Sequence, residues 1–261
     1  MIRRLLGLLF LAYGAVALYL FFAADSMIFL PQAASYAHEP KIDPTALTLH
    51  SRDGNAIAAR YLNSANSRYT ILFSHGNASD IGIVMPILEP LHESGLSVLA
   101  YDYPGYGHST GKPSEKGAYH AIEAAYAYLT EELSIAPQSI IVFGQSIGGG
   151  PSTYLAAKQP VGGLILEKTF SSILDVVSPY RVLPFDKFPN LQRIAHIDCP
   201  LLLIHGTSDN TIPLSHSETL LAAAKEPKQL VTIPGADHND ILMVNAKAYF
   251  AAIAQFVASL P

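Results

Sequence analysis

Short apolar segments alternate with longer segments of helical periodicity along most of this chain. The short segments carry few polar side chains, which is typical of strands in a parallel sheet covered on both faces. Six strands are predicted in this way, at 69–74, 97–101, 140–143, 163–166, 201–205 and 229–233. Helical spacing of apolar residues predicts helices at 81–94, 115–133, 147–158, 215–224 and 241–260.

A different pattern precedes these repeats. Residues 45–51 alternate with a period of two, Asp53-Gly54 is a turn signal, and 56–62 continues as a strand, so a β-hairpin is predicted. Residues 31–44 are polar and rich in proline, which indicates a linker. A hairpin followed by repeated strand-helix units predicts a mostly parallel, doubly wound α/β sheet.

The N-terminal segment is the most apolar part of the chain. Leu5 to Ala24 contains no charged residue, and as a helix it would span about 30 Å, the thickness of a bilayer core. Arg3 and Arg4 precede it, which predicts a cytoplasmic N-terminus and a following domain on the non-cytoplasmic side, in the periplasm if the source is bacterial. We therefore expect an anchor at 1–26 and a domain at 27–261. The alternatives are a signal peptide cleaved after Ala15-Val16-Ala17 and a helix packed on the protein itself.

Composition narrows the function classes. The chain has 261 residues, half of them apolar, with a formal net charge of −5. No basic cluster follows Arg3-Arg4, so no nucleic-acid partner is expected. The single cysteine, Cys199, excludes an intrachain disulfide and a cysteine-based zinc site. The ten histidines include no pair at H-x-x-x-H spacing, so no metal site is predicted.

One strand end carries a serine in a glycine-rich turn. Gly144-Gln145-Ser146-Ile147-Gly148 follows the apolar run at 139–143 and precedes a run of small residues. A G-x-S-x-G turn between a strand and a helix exposes the serine hydroxyl, which a weak nucleophile needs for catalysis. The pattern alone is weak evidence, because glycines and serine also occur together in ordinary tight turns.

Two further strand ends supply the partners that a serine nucleophile needs. Asp209 follows the strand at 201–205, and His238 follows the strand at 229–233. The chain order serine, aspartate, histidine is that of α/β-hydrolase triads, in which histidine is the base and the carboxylate orients it. Glu167 and Asp237 are competing candidates for the acid, and Asp240 is expected to cap the last helix.

Several motifs together resemble a known family. The chain is similar to membrane-anchored α/β-hydrolases that include depalmitoylases of lipid-modified proteins and monoacylglycerol-lipase-like enzymes. The resemblance extends from about Phe29 to the C-terminus. It is carried by His75-Gly76-Asn77, Asp102-Tyr103-Pro104-Gly105-Tyr106-Gly107, Pro113-Ser114-Glu115, Gly144-Gln145-Ser146-Ile147-Gly148, Leu166-Glu167-Lys168-Thr169-Phe170, His205-Gly206-Thr207-Ser208-Asp209 and His238-Asn239-Asp240.

The resemblance implies an α/β-hydrolase fold and a serine hydrolase without cofactor. Ser146 would be the nucleophile, Asp209 the acid and His238 the base. The oxyanion hole would be formed by the backbone N–H groups of Ile147 and of Asn77 or Ala78. Eukaryotic depalmitoylases have a cysteine-rich N-terminus for lipidation, and here the apolar N-terminal segment would replace it.

In this fold a cap usually lies before the strand that bears the acid. Here that interval is about 169–200, which is short and mostly apolar and so suits an acyl ester, thioester or other lipid-like small molecule. Asp175 and Asp186 keep open an aminopeptidase-like alternative, in which an acid on the cap binds the substrate amine. A non-catalytic binding protein is the other alternative. The G-x-S-x-G turn at 144–148 is called the nucleophile elbow in this fold, and here we call it the elbow. A serine at the elbow argues against dehalogenases and epoxide hydrolases, which use aspartate there.

Overall fold

The computed structural model describes residues 2–36, 45–178, 180 and 182–261. Its centre is an eight-stranded sheet in the order β1-β2-β4-β3-β5-β6-β7-β8. Strands β1 and β2 pair antiparallel, as do β2 and β4, and the remaining pairs are parallel. The strands are β1 (Ala46–His50), β2 (Ala56–Leu62), β3 (Thr70–Ser74), β4 (Ser97–Tyr101), β5 (Ile140–Gln145), β6 (Gly163–Glu167), β7 (Leu201–Gly206) and β8 (Lys228–Ile233).

Helices cover both faces of this sheet. The α-helices of the described residues are α1 (Ile2–Ile28), α2 (Ile81–Glu93), α3 (Glu115–Ala127), α4 (Gly149–Ala156), α5 (Ile173–Val177), α6 (Asn190–Ile194), α7 (Ser215–Ala223) and α8 (Ile241–Ser259). Alternate side chains of the strands enter two cores. One core includes Leu72 and Val142 and is closed by α3, α4 and α7. The other includes Phe73 and Phe143 and is closed by α2 and α8.

The doubly wound parallel sheet and the predicted hairpin are confirmed. His50 pairs with Ala56 across the turn, where Gly54 has φ +83°, a conformation that favours glycine. The structure differs from the pattern in three helices. Residues 128–132 continue α3 as a π-helical turn, the elbow begins as a 3₁₀ turn at Ser146–Gly148, and α8 is kinked at Asn245.

Helix α1 is longer than predicted and makes contacts with the domain. Its most apolar 18 residues have a mean hydropathy of 2.3, so it is long and apolar enough to cross a membrane. One face nevertheless packs on the segment between β6 and β7. The Tyr13 hydroxyl donates to the Val182 carbonyl at 2.8 Å, and the rings of Phe21 and Phe185 lie 5.3 Å apart. Helix α8 has a similar composition, but its buried side chains belong to the core.

The predicted linker is partly docked on the domain. The N–H and the hydroxyl of Ser35 donate to the Asp80 carboxylate at 2.7 and 2.5 Å, and the Tyr36 hydroxyl donates to Asp102. Burial and the Asp102 charge raise the pKa of Tyr36 well above its ordinary value. Residues 37–44 of that linker lie outside the described residues. Residues 31–36 are therefore a fixed connection between α1 and the sheet.

Candidate active site

The turn after β5 places Ser146 at the carboxyl edge of the sheet. Ser146 has φ +52°, a strained conformation for a residue with a side chain. The turn is tight because the flanking glycines touch backbone: a Cβ on Gly144 would lie 2.5 Å from the Gly148 carbonyl oxygen, and one on Gly148 would lie 2.1 Å from that of Ser74. Larger residues at either position would displace the main chain, so the glycines are what allow the serine to stand at the tip.

The structure brings together the three residues that the strand ends single out. The Ser146 Oγ lies 3.1 Å from His238 Nε2, and His238 Nδ1 lies 2.7 Å from Asp209 Oδ2. An ionised carboxylate can only accept, so Nδ1 carries the proton and Nε2 accepts from the serine hydroxyl. This is the tautomer that a histidine base requires.

Asp209 is held ionised by several donors. Burial alone would raise its pKa, but hydrogen bonds from His205, His238 and the Ile212 N–H outweigh that effect, so the pKa of Asp209 lies well below its ordinary value. Its Oδ1 accepts from the N–H groups of Thr211 and Ile212 at 2.9 and 2.8 Å. One carboxylate oxygen of Asp209 therefore holds the turn at 211–212, and the other contacts His238.

His205 packs behind this acid. Its Nε2 donates to the Ile212 carbonyl at 2.8 Å and lies 3.3 Å from Asp209 Oδ2. Its Nδ1 is 2.7 Å from the Ser217 hydroxyl, which can donate to it. With both ring nitrogens engaged and the ring buried, His205 fixes the loop that bears Asp209.

Two positioning residues were not recognised from the sequence. The Thr169 hydroxyl donates to the Ser146 carbonyl at 2.8 Å and so braces the elbow. Asp237 Oδ1 accepts from the N–H groups of Asn210 and His238 at 3.0 and 2.7 Å. It thereby joins the loop that bears Asp209, here the acid loop, to the loop that bears His238, here the base loop. The sequence indicates Asp237 only as a rival acid, and its position directly before His238 is the available signal for its positioning role.

Asp240 does not behave as expected. It occupies the N-cap position of α8, but its side chain bonds no helix amide and instead accepts from the Asp237 N–H at 2.7 Å. The prediction that Asp240 caps the last helix is therefore wrong at the level of the side chain. Helix α8 has one turn before the kink at Asn245. The Asn245 side chain caps the second part of the helix by accepting from the Ala248 N–H at 3.0 Å.

The loop after β3 lies beside the elbow. A Cβ on Gly76 would be 3.7 Å from the Ser146 Cβ, so the main chain of this loop passes close to the serine. Asn77, Ala78 and Ile147 line the same cavity as Ser146. The Ala78 N–H donates to Asn77 Oδ1 at 3.1 Å. Among the three donors that the family resemblance implies, those of Asn77 and Ile147 are therefore the better candidates for the oxyanion hole.

Glu167 is occupied elsewhere. Its carboxylate accepts from the Tyr249 hydroxyl at 2.8 Å and from Gln145 Nε2 at 3.3 Å, and it lies 3.2 Å from Lys168 Nζ. Burial and the Glu167 charge raise the pKa of Tyr249. The rival acid is thus directed toward a buried polar cluster, and the structure records no contact from it to His238.

A cavity of about 890 Å³ opens over Ser146 and His238. Its walls are mostly apolar. The end of α1, α2, the segment after β6 and the first turn of α8 contribute to them, together with the loops that follow β3, β5, β7 and β8. Wall residues with large exposed fractions surround the opening: Met27, Leu30, Ile83, Val177 and Met243. A cavity of this size and character can hold an extended apolar ligand next to the Ser146 hydroxyl.

The acidic, histidine and cysteine side chains also bear on metal binding and on alternative nucleophiles. Within the described part of the chain no cluster of three or more histidine, cysteine, aspartate or glutamate side chains could hold an ion. Cys199 is half-buried and burial raises the pKa of its thiol to about 12, so it is a poor nucleophile at neutral pH.

The chain is similar to known proteins in both sequence and structure. Residues 69–189 match a family model for the alpha/beta hydrolase fold. A human protein called alpha/beta hydrolase domain-containing protein 17B is 39% identical over 209 residues, which is 78% of this chain and 72% of that protein. An uncharacterised protein of Mycobacterium tuberculosis is 32% identical over 257 residues, covering 95% and 92% of the two chains. An esterase from Pyrococcus furiosus has a similar structure, with a TM-score of 0.71, 18% identity, and coverage of 88% of this chain and 97% of that one.

Proposed function

Because this chain belongs to the α/β-hydrolase family, we propose that it is a serine hydrolase that cleaves carboxylic ester or thioester bonds of acyl or lipid-like substrates. The single observation that carries this proposal is the chain of contacts Ser146 Oγ–His238 Nε2, 3.1 Å, and His238 Nδ1–Asp209 Oδ2, 2.7 Å, at the floor of an apolar cavity.

The proposed reaction is acyl transfer to water in two steps. His238 Nε2 takes the hydroxyl proton as Ser146 Oγ attacks the carbonyl carbon, and the backbone N–H groups of Asn77 and Ile147 bind the oxyanion that develops. Each strong donor of this kind lowers the barrier by about 3–4 kcal/mol. His238 then gives the proton to the leaving alcohol or thiol. A water molecule, deprotonated by His238, releases the acid from the serine.

Asp209 has a separate role in this proposal. It stays ionised, since its hydrogen bonds hold its pKa below the ordinary range, and it keeps the proton of the resting imidazole on Nδ1. It also stabilises the imidazolium that forms when His238 accepts the serine proton.

The cavity walls support an apolar acyl group as substrate. The segment at 169–200, which we propose as a short cap, contributes Phe170, Ile173, Val176 and Val177 to the wall. An aminopeptidase would need an acid that faces the cavity. Asp175 instead accepts from the Ser171 hydroxyl at 2.7 Å, and Asp186 accepts from the Lys187 N–H at 2.8 Å.

We also propose that α1 anchors the enzyme in a membrane, with residues 1–26 as the anchor and 27–261 as a domain on the non-cytoplasmic side. The apolar length of α1 and the arginines before it support this topology, in which the segment at 182–185, which contacts Tyr13 and Phe21, would enter the bilayer beside α1. The exposed apolar residues around the cavity opening lie at the same end of the domain as α1, so lipid esters would reach the opening from the bilayer. Full-length protein should resist carbonate extraction, and a C-terminal tag should be protected from protease added on the cytoplasmic side. A chain that begins after Ala17 would instead indicate a cleaved signal peptide.

A fluorophosphonate label tests the nucleophile. Wild type should be labelled, and Ser146→Ala should lose both the label and ester turnover, by several orders of magnitude, because only binding and the oxyanion hole remain. Ser208→Ala, at an exposed serine of the acid loop, is the matched control and should label like wild type. Undiminished labelling of Ser146→Ala would refute the proposal.

A further inference from the structure

The main chain that leaves α1 runs beside the loop that follows β3, and the side chain of Asn77 joins them. Its Nδ2 donates to the Ile28 carbonyl at 2.6 Å, and its Oδ1 accepts from the Leu30 N–H at 3.0 Å. The same oxygen accepts from the Tyr106 hydroxyl at 2.6 Å and from the Ala78 N–H at 3.1 Å. One amide therefore bonds both the end of the anchor helix and its own loop.

The segment at 27–30, which Asn77 binds through Ile28 and Leu30, also packs on the domain. Phe29 is 3% exposed, and its ring lies 6.3 Å from that of Tyr106 and 6.0 Å from that of Phe188, both in edge-on contact. The Leu30 N–H also donates to the Tyr106 hydroxyl at 2.9 Å. Aromatic packing and a shared hydrogen-bond network of this kind leave the segment few alternative positions.

This loop is the one whose position matters for the reaction proposed above. It passes so close to the elbow that a Cβ on Gly76 would lie 3.7 Å from the Ser146 Cβ. An oxyanion donor must stand at hydrogen-bond distance, about 2.7–3.1 Å, from the developing charge, and a displacement of about 1 Å can cost ~10²-fold in rate. Whatever fixes this loop therefore affects the rate without touching the substrate.

We propose that Asn77, through its side chain, is a positioning residue that holds the loop after β3 against residues 27–30, the segment that leaves α1. The membrane anchor would then support the geometry of the active site in addition to holding the protein at the membrane. The inference rests on the proposed serine hydrolase function. It assigns the side chain of Asn77 a role distinct from that of its backbone N–H, which an alanine substitution retains.

The test uses full-length protein in detergent and a water-soluble short ester, so that membrane partitioning does not enter. Asn77→Ala should lower kcat by about 10- to 100-fold and leave KM within about twofold, because the oxyanion is bound only after the ground state. The pH profile should be unchanged, since no titrating group is removed. Asn63→Ala is the matched control, because Asn63 is an exposed asparagine at the opposite edge of the sheet.

Two further variants test the link to the anchor. Tyr106→Phe removes one donor to Asn77 and should lower kcat by less than Asn77→Ala does. Phe29→Ala loosens the segment itself and should lower kcat in the same way. Each effect should largely disappear in the Asn77→Ala background, because all three residues act through one contact, whereas independent structural defects would multiply.

The outcomes separate this inference from the proposed function. A wild type that neither labels nor hydrolyses any ester would refute the function. An active wild type with an equally active Asn77→Ala would refute only the positioning role. A loss that appears in KM, or a Phe29→Ala effect that multiplies with that of Asn77→Ala, would also overturn it.

Discussion

Two regions of the cavity are built in different ways. The loops at 144–148, 205–212 and 235–240, which we call the catalytic loops, each follow one strand, and each places one of the proposed catalytic side chains at the sheet edge. The entrance wall is assembled from the end of α1 and from α5 and encloses the opening of the cavity; we define it as Met27, Ile28, Leu30, Ile173, Val176 and Val177. The first region rests on the sheet, and the second rests on contacts between segments far apart in the chain.

We expect the catalytic loops to determine the rate of bond cleavage and the entrance wall to determine which acyl chains are preferred. Changes in the catalytic loops should lower kcat equally for short and long acyl esters, because the bonds that break are the same. Changes in the apolar side chains of the entrance wall should alter the dependence on acyl length, because those side chains would touch the chain and not the carbonyl. Measurements on both regions with one set of esters test the division.

The largest effect is expected at the acid. Asp209→Asn should keep the fold and lower kcat by about 10⁴-fold, because an asparagine no longer favours the Nδ1–H tautomer of His238. The loss should be the same for every acyl length. Steady-state kinetics over a series of p-nitrophenyl esters measures both quantities.

Glu167→Gln is the matched control for that acid. Glu167 is buried in a cluster with Tyr249 and Lys168, so its loss should lower stability while kcat stays within about tenfold of wild type. If Glu167→Gln abolished turnover and Asp209→Asn did not, the acid would be misassigned and the catalytic loops would have to include the end of β6.

The entrance wall should show its effect through acyl length. Each buried methylene contributes about 0.8 kcal/mol, so kcat/KM should rise roughly tenfold for every two methylenes until the cavity is filled. A flat or falling profile from acetyl to longer esters would contradict the lipid-ester proposal and leave a hydrolase of small esters.

One exposed residue of the wall sharpens this prediction. Val177 is 72% exposed at the opening, and Val177→Asp should flatten the chain-length profile by several-fold for long esters while acetyl esters are unaffected. Leu133→Asp is the control, because Leu133 is an exposed apolar residue at the opposite edge of the sheet. Equal effects of the two substitutions would mean that the wall does not select the acyl chain.

The two regions also differ in how far the sequence predicts them. The strands and the order of Ser146, Asp209 and His238 follow from local patterns, because each strand is an apolar run and each candidate side chain comes just after one. The entrance wall has no such pattern. The contact between Asn77 and Ile28 joins residues 49 positions apart, and nothing near either residue indicates its partner.

Two details differ from the sequence-based predictions, the role of Asp240 and the length of α1, and both involve the partner of a carboxylate. Asp240 stands where a helix cap is expected, but the Asp237 N–H competes for its carboxylate. Helix α1 continues through Asp25, beyond the charge-free stretch, and there the Asp25 carboxylate lies 2.9 Å from Lys187 Nζ. Both carboxylates thus have partners that a single sequence does not reveal.

A smaller effect is expected at the residue that joins two catalytic loops. Asp237→Ala removes the acceptor of the Asn210 and His238 N–H groups, and it should lower kcat by several-fold with KM unchanged, because the imidazole loses support but keeps Asp209. Asp198→Ala, at an exposed aspartate paired with Lys225 far from the cavity, should leave kcat unchanged. An Asp237→Ala loss as large as that of Asp209→Asn would show that Asp237 acts on the base directly.

The smallest effect concerns stability and pH. The pKa of Asp209 is lowered in the folded protein, so the unfolded chain binds a proton more readily, and the stability that ionised Asp209 contributes is fully present above its unfolded pKa of about 4. It is lost as the pH falls through the folded value. Wild type should therefore have a higher Tm than Asp209→Asn at pH 7, and the gap should shrink steadily below about pH 4. Thermal unfolding of both proteins between pH 7 and pH 3 measures the gap. Asp198→Asn, at an exposed carboxylate, should show no comparable change, and a gap that is constant with pH would mean that the catalytic loops do not stabilise the charge of Asp209.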